Sequence, residues 1–331
     1  MILFISPKNK YATNRFLQEA QKQQVEVAHF DVQELAERNF DVDPEKYDSV
    51  YIRFPFPFLA QIIELANKFK RTGKKVVDAS IALGDVGLGK MKNYEQLHAA
   101  NVAIPQTSRL NDSSFTYPYI IKWNYGFKGR NVFLVRNDQE RADIVEKYDP
   151  AELLAQEYIE AEYECKVMTV GYQALPVILK YKMQQGGFKV DMASGEVVQY
   201  SPPIRRSPPA EREGGGMGSS QTLPPRPPSG DTPPIKKGNT AADILHAVVS
   251  LAETASRITG RELAKVDILQ KGDRLYILEV NRWPGFQSFE ALSKYNVAGA
   301  FVKYLSQKWQ FAYFMGIWYN SDTYFYSTKR S

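Results

Sequence analysis

A single cysteine, Cys165, stands in 331 residues. That excludes an internal disulfide and any cysteine cage for a metal, and it points to a reducing compartment, hence the cytoplasm. No uninterrupted apolar stretch approaches the roughly 18–20 residues that a membrane helix needs. The opening MILFISPKNK has no basic leader ahead of its apolar residues and turns polar too soon for a signal peptide. An excess of one charge is also lacking: 42 Lys and Arg against 37 Asp and Glu leave only +5. Six of those basic residues, against three acids, fall within 201–238. The remainder is close to neutral, which argues against nucleic-acid binding. Glycine motifs for nucleotides are missing as well. The first turn, SPKNKY, lacks G-x-G-x-x-G, and no G-K-[ST] loop with the Walker spacing is present. The three histidines (His29, His98, His246) form no motif, and Cys165 reads as a small core residue.

What is present is an ordinary globular composition, 44% hydrophobic and 24% charged, in a chain long enough for two or three subdomains. Residues 1–80 alternate strand-like and helix-like runs: strands at 2–5, 25–30, 50–53 and 76–77, helices at 11–23 and 59–70. This βαβ pattern argues for a small parallel sheet with helices on its faces. A helix at 91–100 follows, then short β-rich runs at 119–123, 132–136, 153–158, 165–170 and 177–181. Ten of the 19 prolines crowd into 201–238; such a segment buries too little apolar surface to fold alone and reads as a disordered or polyproline-like insertion. Within it, Leu223-Pro-Pro-Arg-Pro-Pro228 has the form of a ligand for SH3-like grooves, although a plain spacer reads the same. A helix at 241–259, two strands at 264–269 and 275–280 and a helix at 298–305 complete the pattern. Nine aromatics within 309–326 make a tail that either packs back on its own subdomain or forms a subunit contact.

Three constellations carry chemistry. Asp267 and Glu279 lie on successive strands joined by the turn KGDR, and Asn281 shares a face with Glu279. Two carboxylates and an amide oxygen are hard ligands suited to a Mg²⁺ ion that also binds phosphate; ordinary surface acids on a strand pair would give the same pattern. Lys122 ends an apolar strand and is followed by a basic, glycine-containing loop with Gly126, Lys128, Gly129 and Arg130. It reads either as a phosphate cradle or as a hairpin turn with solvated lysines. Gln156-Glu157-Tyr158-Ile159, with Glu164 beyond, would suit a cleft for a purine and its ribose.

In this order the three resemble the ATP-grasp superfamily, and within it RimK-type glutamate ligases and their glutathione-synthetase-like relatives. The resemblance spans 1–305 apart from the proline-rich insertion. It is carried by Tyr11 and Arg15, by Tyr51-Ile52-Arg53, by Gly89-Lys90-Met91-Lys92-Asn93-Tyr94 and, most specifically, by Glu279-Val-Asn-Arg-Trp-Pro-Gly-Phe286. It implies an α/β ATP-grasp fold with a Rossmann-like pre-ATP-grasp domain over 1–84, a central subdomain over 85–164 and a C-terminal subdomain over 165–308. The aromatic tail would occupy 309–331.

The resemblance further implies that Lys90 and Lys122 contact ATP phosphates under a closing loop, 126–131. Gln156, Glu157, Tyr158 and Ile159 would line the adenine, Glu164 would meet the ribose, and Leu278 would lie beneath the base. Asp267, Glu279 and Asn281 would hold Mg²⁺ (or Mn²⁺). Phe188-Lys189-Val190-Asp191 matches the family's Phe-Arg-x-Asn element with Lys for Arg and Asp for Asn, a change that loses the guanidinium fork. Lys189 and Lys265 are the expected catalytic cations. The implied reaction is ATP-dependent joining of a carboxylate to an amine through an acyl-phosphate, with an amino acid such as glutamate and a peptide, protein or small-molecule acceptor as substrates, in a homo-oligomer. The alternative is an ATP-binding regulatory protein that kept the clamp and lost the chemistry.

Overall fold

The computed structural model describes residues 1–87, 89–126, 130–201 and 240–307. Three sheets organise them. The first contains β1 (Ile2–Ile5), β2 (Val27–Phe30), β3 (Ser49–Ile52) and β4 (Lys75–Val77), in the order β2-β1-β3-β4 and parallel throughout. Helices α1 (Tyr11–Lys22), α2 (Val32–Glu37) and α3 (Leu59–Arg71) make its connections. Both central strands are buried along their whole length, which is why they read as unbroken apolar runs without alternation. Leu3, Ile5, Val50 and Ile52 pack against α3 through Ile62, Leu65 and Phe69.

The second sheet follows α4 (Gly89–Ala99). It comprises β5 (Thr107–Arg109), β6 (Tyr119–Trp123), β7 (Val132–Val135) and, after α5 (Asp138–Lys147), β8 (Leu153–Glu157), in the antiparallel order β5-β8-β6-β7. Its core is small and its own: Leu110, Tyr119, Ile121, Val135, Ile144, Leu153 and Ala155.

The third sheet contains β9 (Tyr163–Val170), β10 (Gln173–Lys182) and β11 (Glu196–Gln199). After α6 (Ala241–Ile258) come β12 (Leu263–Lys271) and β13 (Arg274–Asn281), giving the antiparallel order β11-β10-β9-β12-β13. One face packs Val167, Ile178, Val266, Ile268 and Ile277 against α6 and Leu97 of α4. At one end of the other face lie α7 (Gln287–Ser293) and α8 (Val297–Ser306), which meet α1 of the first sheet. Phe301 of α8 is the hinge pin of that junction, with ring centroids 5.2 Å from Phe16 and 4.8 Å from Tyr51.

The structure differs from the sequence expectations mainly by adding elements. α2 carries a capping box between Asp31 and Glu34. α5 buries only Ile144, so its helical period is faint. β5 and β11 are half-exposed edge strands, and α7 spans just two turns. The strands expected at 165–170 and 177–181 are the inner parts of longer ones. Cys165 is buried, as expected. Among the described residues no helix is long and apolar enough to cross a membrane. The SH3-type motif at 223–228 and the aromatic tail from 309 lie outside the described residues.

Candidate functional site

The site forms where the second and third sheets face α4. Antiparallel register sets Asp267 opposite Glu279 and Lys265 opposite Asn281, and on the other side Asp267 opposite Lys166. Side chains two apart share a strand face, so Lys166, Lys265, Asp267, Glu279 and Asn281 emerge together. A register shift after Asp267 sets Leu278 out of the alternation.

Asp267 is the centre. Its Oδ2 accepts from Asn281 Nδ2 at 3.1 Å and lies 3.6 Å from Lys265 Nζ. Its Oδ1 is buried without a hydrogen-bond partner, and Lys166 Nζ stands 3.8 Å away. An orphaned carboxylate oxygen is costly unless a ligand or ion completes it. Lys166 also pairs with Glu164. Burial and the neighbouring Asp267 charge raise the Glu164 carboxyl. Burial opposes the Lys166 charge, but Asp267 and Glu164 outweigh it and raise its pKa.

Glu279 pairs with Lys90. Burial alone would raise the Glu279 carboxyl, yet Lys90, Lys122 and Lys265 together draw it below its ordinary range. Lys122 is 5% exposed; its Nζ donates to Tyr94 Oη at 2.5 Å and Gln156 Oε1 at 2.7 Å. Both partners are neutral. Burial therefore pushes the ammonium down to about 7, and the Lys90 charge adds to the push. Tyr94 Oη in turn donates a hydrogen bond to Leu278 O at 2.7 Å.

Lys90 is placed by a contact that the sequence pattern did not reveal. Asn124, just past β6 and fully buried, accepts from Lys90 N through its backbone carbonyl and from Met91 N through Oδ1, both at 2.9 Å. It thereby caps α4. Gly89 adopts φ +79°, and a Cβ there would stand 2.3 Å from Asn124 Nδ2, so the cap requires glycine. The end of β6 thus holds two lysines at once, Lys122 within the strand and Lys90 through the cap.

Other expected residues are dispersed. Gln156 is buried, donating to Thr107 Oγ1 at 2.7 Å. Glu157 is exposed and accepts from Gln106 N, Tyr158 Oη donates to Gly187 O at 2.9 Å, and Ile159 is buried. Gly126 occupies the tight turn after β6, where a Cβ would lie 3.2 Å from Trp123 O and Arg130 O. Arg130 is exposed, while Lys128 and Gly129 lie outside the described residues. The structure does not bring Lys189 or Asp191 to the carboxylates. Both are exposed; Lys189 Nζ lies 5.6 Å from the Phe188 ring centroid, and Asp191 caps a short turn at Ala193 N. Lys166 was missed by sequence reasoning, although its signal was there: it stands two residues after Glu164 on one strand, sharing its face.

The donor set fits Mg²⁺. Among the described residues no three His, Cys, Asp or Glu side chains converge as a metal cage. An ion bound here would take Asp267, Glu279 and the Asn281 carbonyl oxygen, with phosphate and water completing its shell, as magnesium prefers.

Lysines and hard oxygen ligands set between two antiparallel sheets, next to a parallel α/β unit, define an ATP-grasp protein, and solved structures share the fold. The ATP-grasp ligase PsnB, complexed with a minimal precursor, superposes with a TM-score of 0.62 at 15% identity, covering 92% of this chain and 97% of that one. D-alanine–D-alanine ligase from Bacillus anthracis gives 0.53 at 14% identity, covering 92% and 94%. Residues 91–202 and 235–305 match the model of the RimK-like ATP-grasp domain. The chain belongs to that family, and it is an ATP-dependent, ADP-forming carboxylate–amine ligase. It is similar to the probable alpha-L-glutamate ligase of Aeromonas salmonicida, 22% identical with 93% of this chain and 96% of the relative covered. The ribosomal protein bS6–L-glutamate ligase of Escherichia coli is 21% identical, covering 72% and 70%. The family uses ATP and Mg²⁺.

Proposed function

We propose that this ligase adds glutamate, as the amine, to the carboxylate of a peptide or protein acceptor, with Asp267, Glu279 and Asn281 as the magnesium ligands (Mn²⁺ replacing Mg²⁺ in vitro). The observation that carries the assignment is the convergence of Lys90, Lys122, Lys166 and Lys265 on two carboxylates, one with an orphaned buried oxygen. Domain limits near 84 and 164 go with this reading.

Magnesium, when bound, spreads the charge of the transferring phosphoryl group. The protein's own groups do the remaining work. Lys122 lies low enough in pKa that polyphosphate would restore its proton, making it a cation created by its ligand. Lys90 is aimed by the helix cap, and phosphate competes with Glu279 for it. Lys265 and Lys166 flank Asp267 and face the acyl-phosphate side. The 126–131 turn, closing, would shield that intermediate from water. Gln156 to Ile159, Glu164 and Leu278 would border the nucleoside, and Lys189 and Asp191 would reach the phosphates only if their segment closes.

The test is ADP release with Mg²⁺ and ATP over a panel of amino acids and C-terminal peptides. Release that needs both a carboxylate and glutamate supports the proposal; release that is indifferent to glutamate, or to the peptide, overturns the choice of substrates. The homo-oligomer and the SH3-like partner remain part of the proposal. Light scattering after removal of 309–331 tests the first, and a pulldown after deletion of 202–234 tests the second.

A further inference from the structure

An aromatic corner stands beside the site and is used by nothing described so far. Phe54 and Phe56, just past β3, are 42% and 49% exposed, high values for residues that bury large apolar surfaces when they can. Both face Trp283: the Phe54 ring lies 5.0 Å from it at 46°, and the Phe56 ring 6.4 Å from it at 84°. Phe54 holds φ +54°, a conformation that residues with bulky side chains rarely adopt. The corner is fixed from behind. Arg53, 5% exposed, donates to Trp283 O at 3.2 Å and Pro284 O at 3.1 Å, with its guanidinium carbon 5.0 Å from the Phe54 ring centre. Trp283 Nε1 donates to Ile52 O at 3.0 Å.

Its position ties it to the reaction. Trp283 comes two residues after Asn281. On the other side, Phe56 Cζ lies 3.5 Å from where a Cβ of Gly87 would stand, and Gly87 is three residues before Lys90. The corner therefore lies between the segment bearing the proposed metal ligands and the segment leading into α4, whose second residue is Lys90. It also lies past the carboxyl end of a central parallel strand, where open α/β sheets take their ligands.

We propose that Phe54, Phe56 and Trp283 form the subsite for a side chain of the acceptor, and that this side chain is aromatic or large and apolar. The inference rests on the ligase reading and names its acceptor class. The exposed faces of the Phe54 and Phe56 rings, backed by Trp283, offer a flat or bulky apolar group a surface to cover. Arg53, the cation that backs the corner, lies beneath a ring and donates to main-chain carbonyls, so it does not select an acidic side chain.

The probes are tetrapeptides Ala-Ala-X-Glu, with X as Trp, Phe, Leu or Ala, titrated calorimetrically into the full chain with Mg²⁺ and a non-hydrolysable ATP analogue. The expected result is binding about ten-fold or more tighter for X as Trp or Phe than for Ala. In Phe54→Ala/Phe56→Ala that preference disappears while affinity for the ATP analogue stays the same. Equal affinity for all four peptides, or a preference that survives the double substitution, overturns the proposal. Fluorine NMR of the wild-type chain with fluorotryptophan guards against a misfolded variant. The Trp283 line, identified by its loss in Trp283→Phe, should shift with the Trp peptide and not with the Ala peptide; no shift overturns the proposal. A ring preference in binding without ADP release on adding ATP and glutamate would sink the glutamate reading and support the corner, whereas ADP release without ring preference does the reverse. A changed oligomeric mass in the double variant with unchanged peptide affinity would make the corner a contact between copies, and would also overturn it.

Discussion

Two buried charge clusters draw on the segment 262–282, one from its two ends and one from its middle, and they are built on opposite principles. The first joins the parallel sheet to the third sheet. Asp78 Oδ1 accepts from Glu262 N at 2.7 Å, Glu262 takes the Tyr304 hydroxyl and lies 3.1 Å from Lys75, and Arg282 donates to Ser80 Oγ at 2.8 Å and Asp85 O at 2.7 Å. There the carboxylates are tied by main-chain and hydroxyl groups from separate elements. In the second cluster, around Asp267 and Glu279, the carboxylates are met mainly by lysine ammonium groups, and one carboxylate oxygen has no hydrogen-bond partner. A closed network holds elements together; an open one holds room for a ligand.

Substitutions should separate the two. The largest effect is expected from Glu279→Gln, which removes a ligand charge: turnover should fall about 100- to 1000-fold, by analogy with loss of one transition-state donor, with the melting temperature nearly unchanged. Wild-type ADP release in this variant would show that the site is elsewhere. Asp78→Ala should do the opposite. It leaves the buried Glu262 N without its acceptor and removes one of the two carboxylates beside Arg282, at a cost of about 1–3 kcal/mol in urea unfolding. The affinity of the folded fraction for ATP should be retained; an equal loss of both would make the first cluster part of the site.

Lys122→Met comes next. Loss of a charge-assisted bond of about 1.5–3 kcal/mol should weaken ATP binding by about ten- to a hundred-fold, measured by calorimetry. Folding should not suffer, because the removed ammonium is buried between neutral partners.

The pH dependence of stability should also separate the two clusters, because it runs in opposite directions. Lys122 titrates near 7 when folded and near 10.4 when unfolded. Between these values the unfolded chain binds the extra proton, so stability rises with pH; the penalty is fully present below 7. Burial pushes Asp78 up to about 7 from about 3.9. There the folded chain binds the extra proton, so stability falls as pH rises from about 4 to 7. Melting profiles of Lys122→Met should lose the alkaline rise, and those of Asp78→Asn the acid-side fall. Profiles parallel to wild type would count against both assignments.

Much of this was legible in the sequence, for stated reasons. Short apolar runs alternating with helical ones declared the parallel sheet, and the pair Asp267 and Glu279 on successive strands joined by the turn KGDR pointed to the metal face. What was not legible depended on tertiary approach. Asn124 looks like a turn residue until its carbonyl is seen capping α4, 34 residues behind Lys90 in sequence. Lys166 was hidden because a lysine within an apolar strand reads as solvent-facing. Lys189 was picked by motif position alone, and the fold leaves it in solvent.

The three cores have a mechanical consequence. The first and third sheets share one aromatic junction through Phe16, Tyr51 and Phe301 and are packed into one core. The second sheet keeps a private core of its own and touches the start of α4 through Asn124. Lys122 belongs to the second sheet, Glu279 to the third, and Lys90 to the helix that Asn124 caps, so the spacing between these cations and that carboxylate follows how the second sheet is set against α4. That setting runs through a contact where Gly89 leaves no room for a side chain.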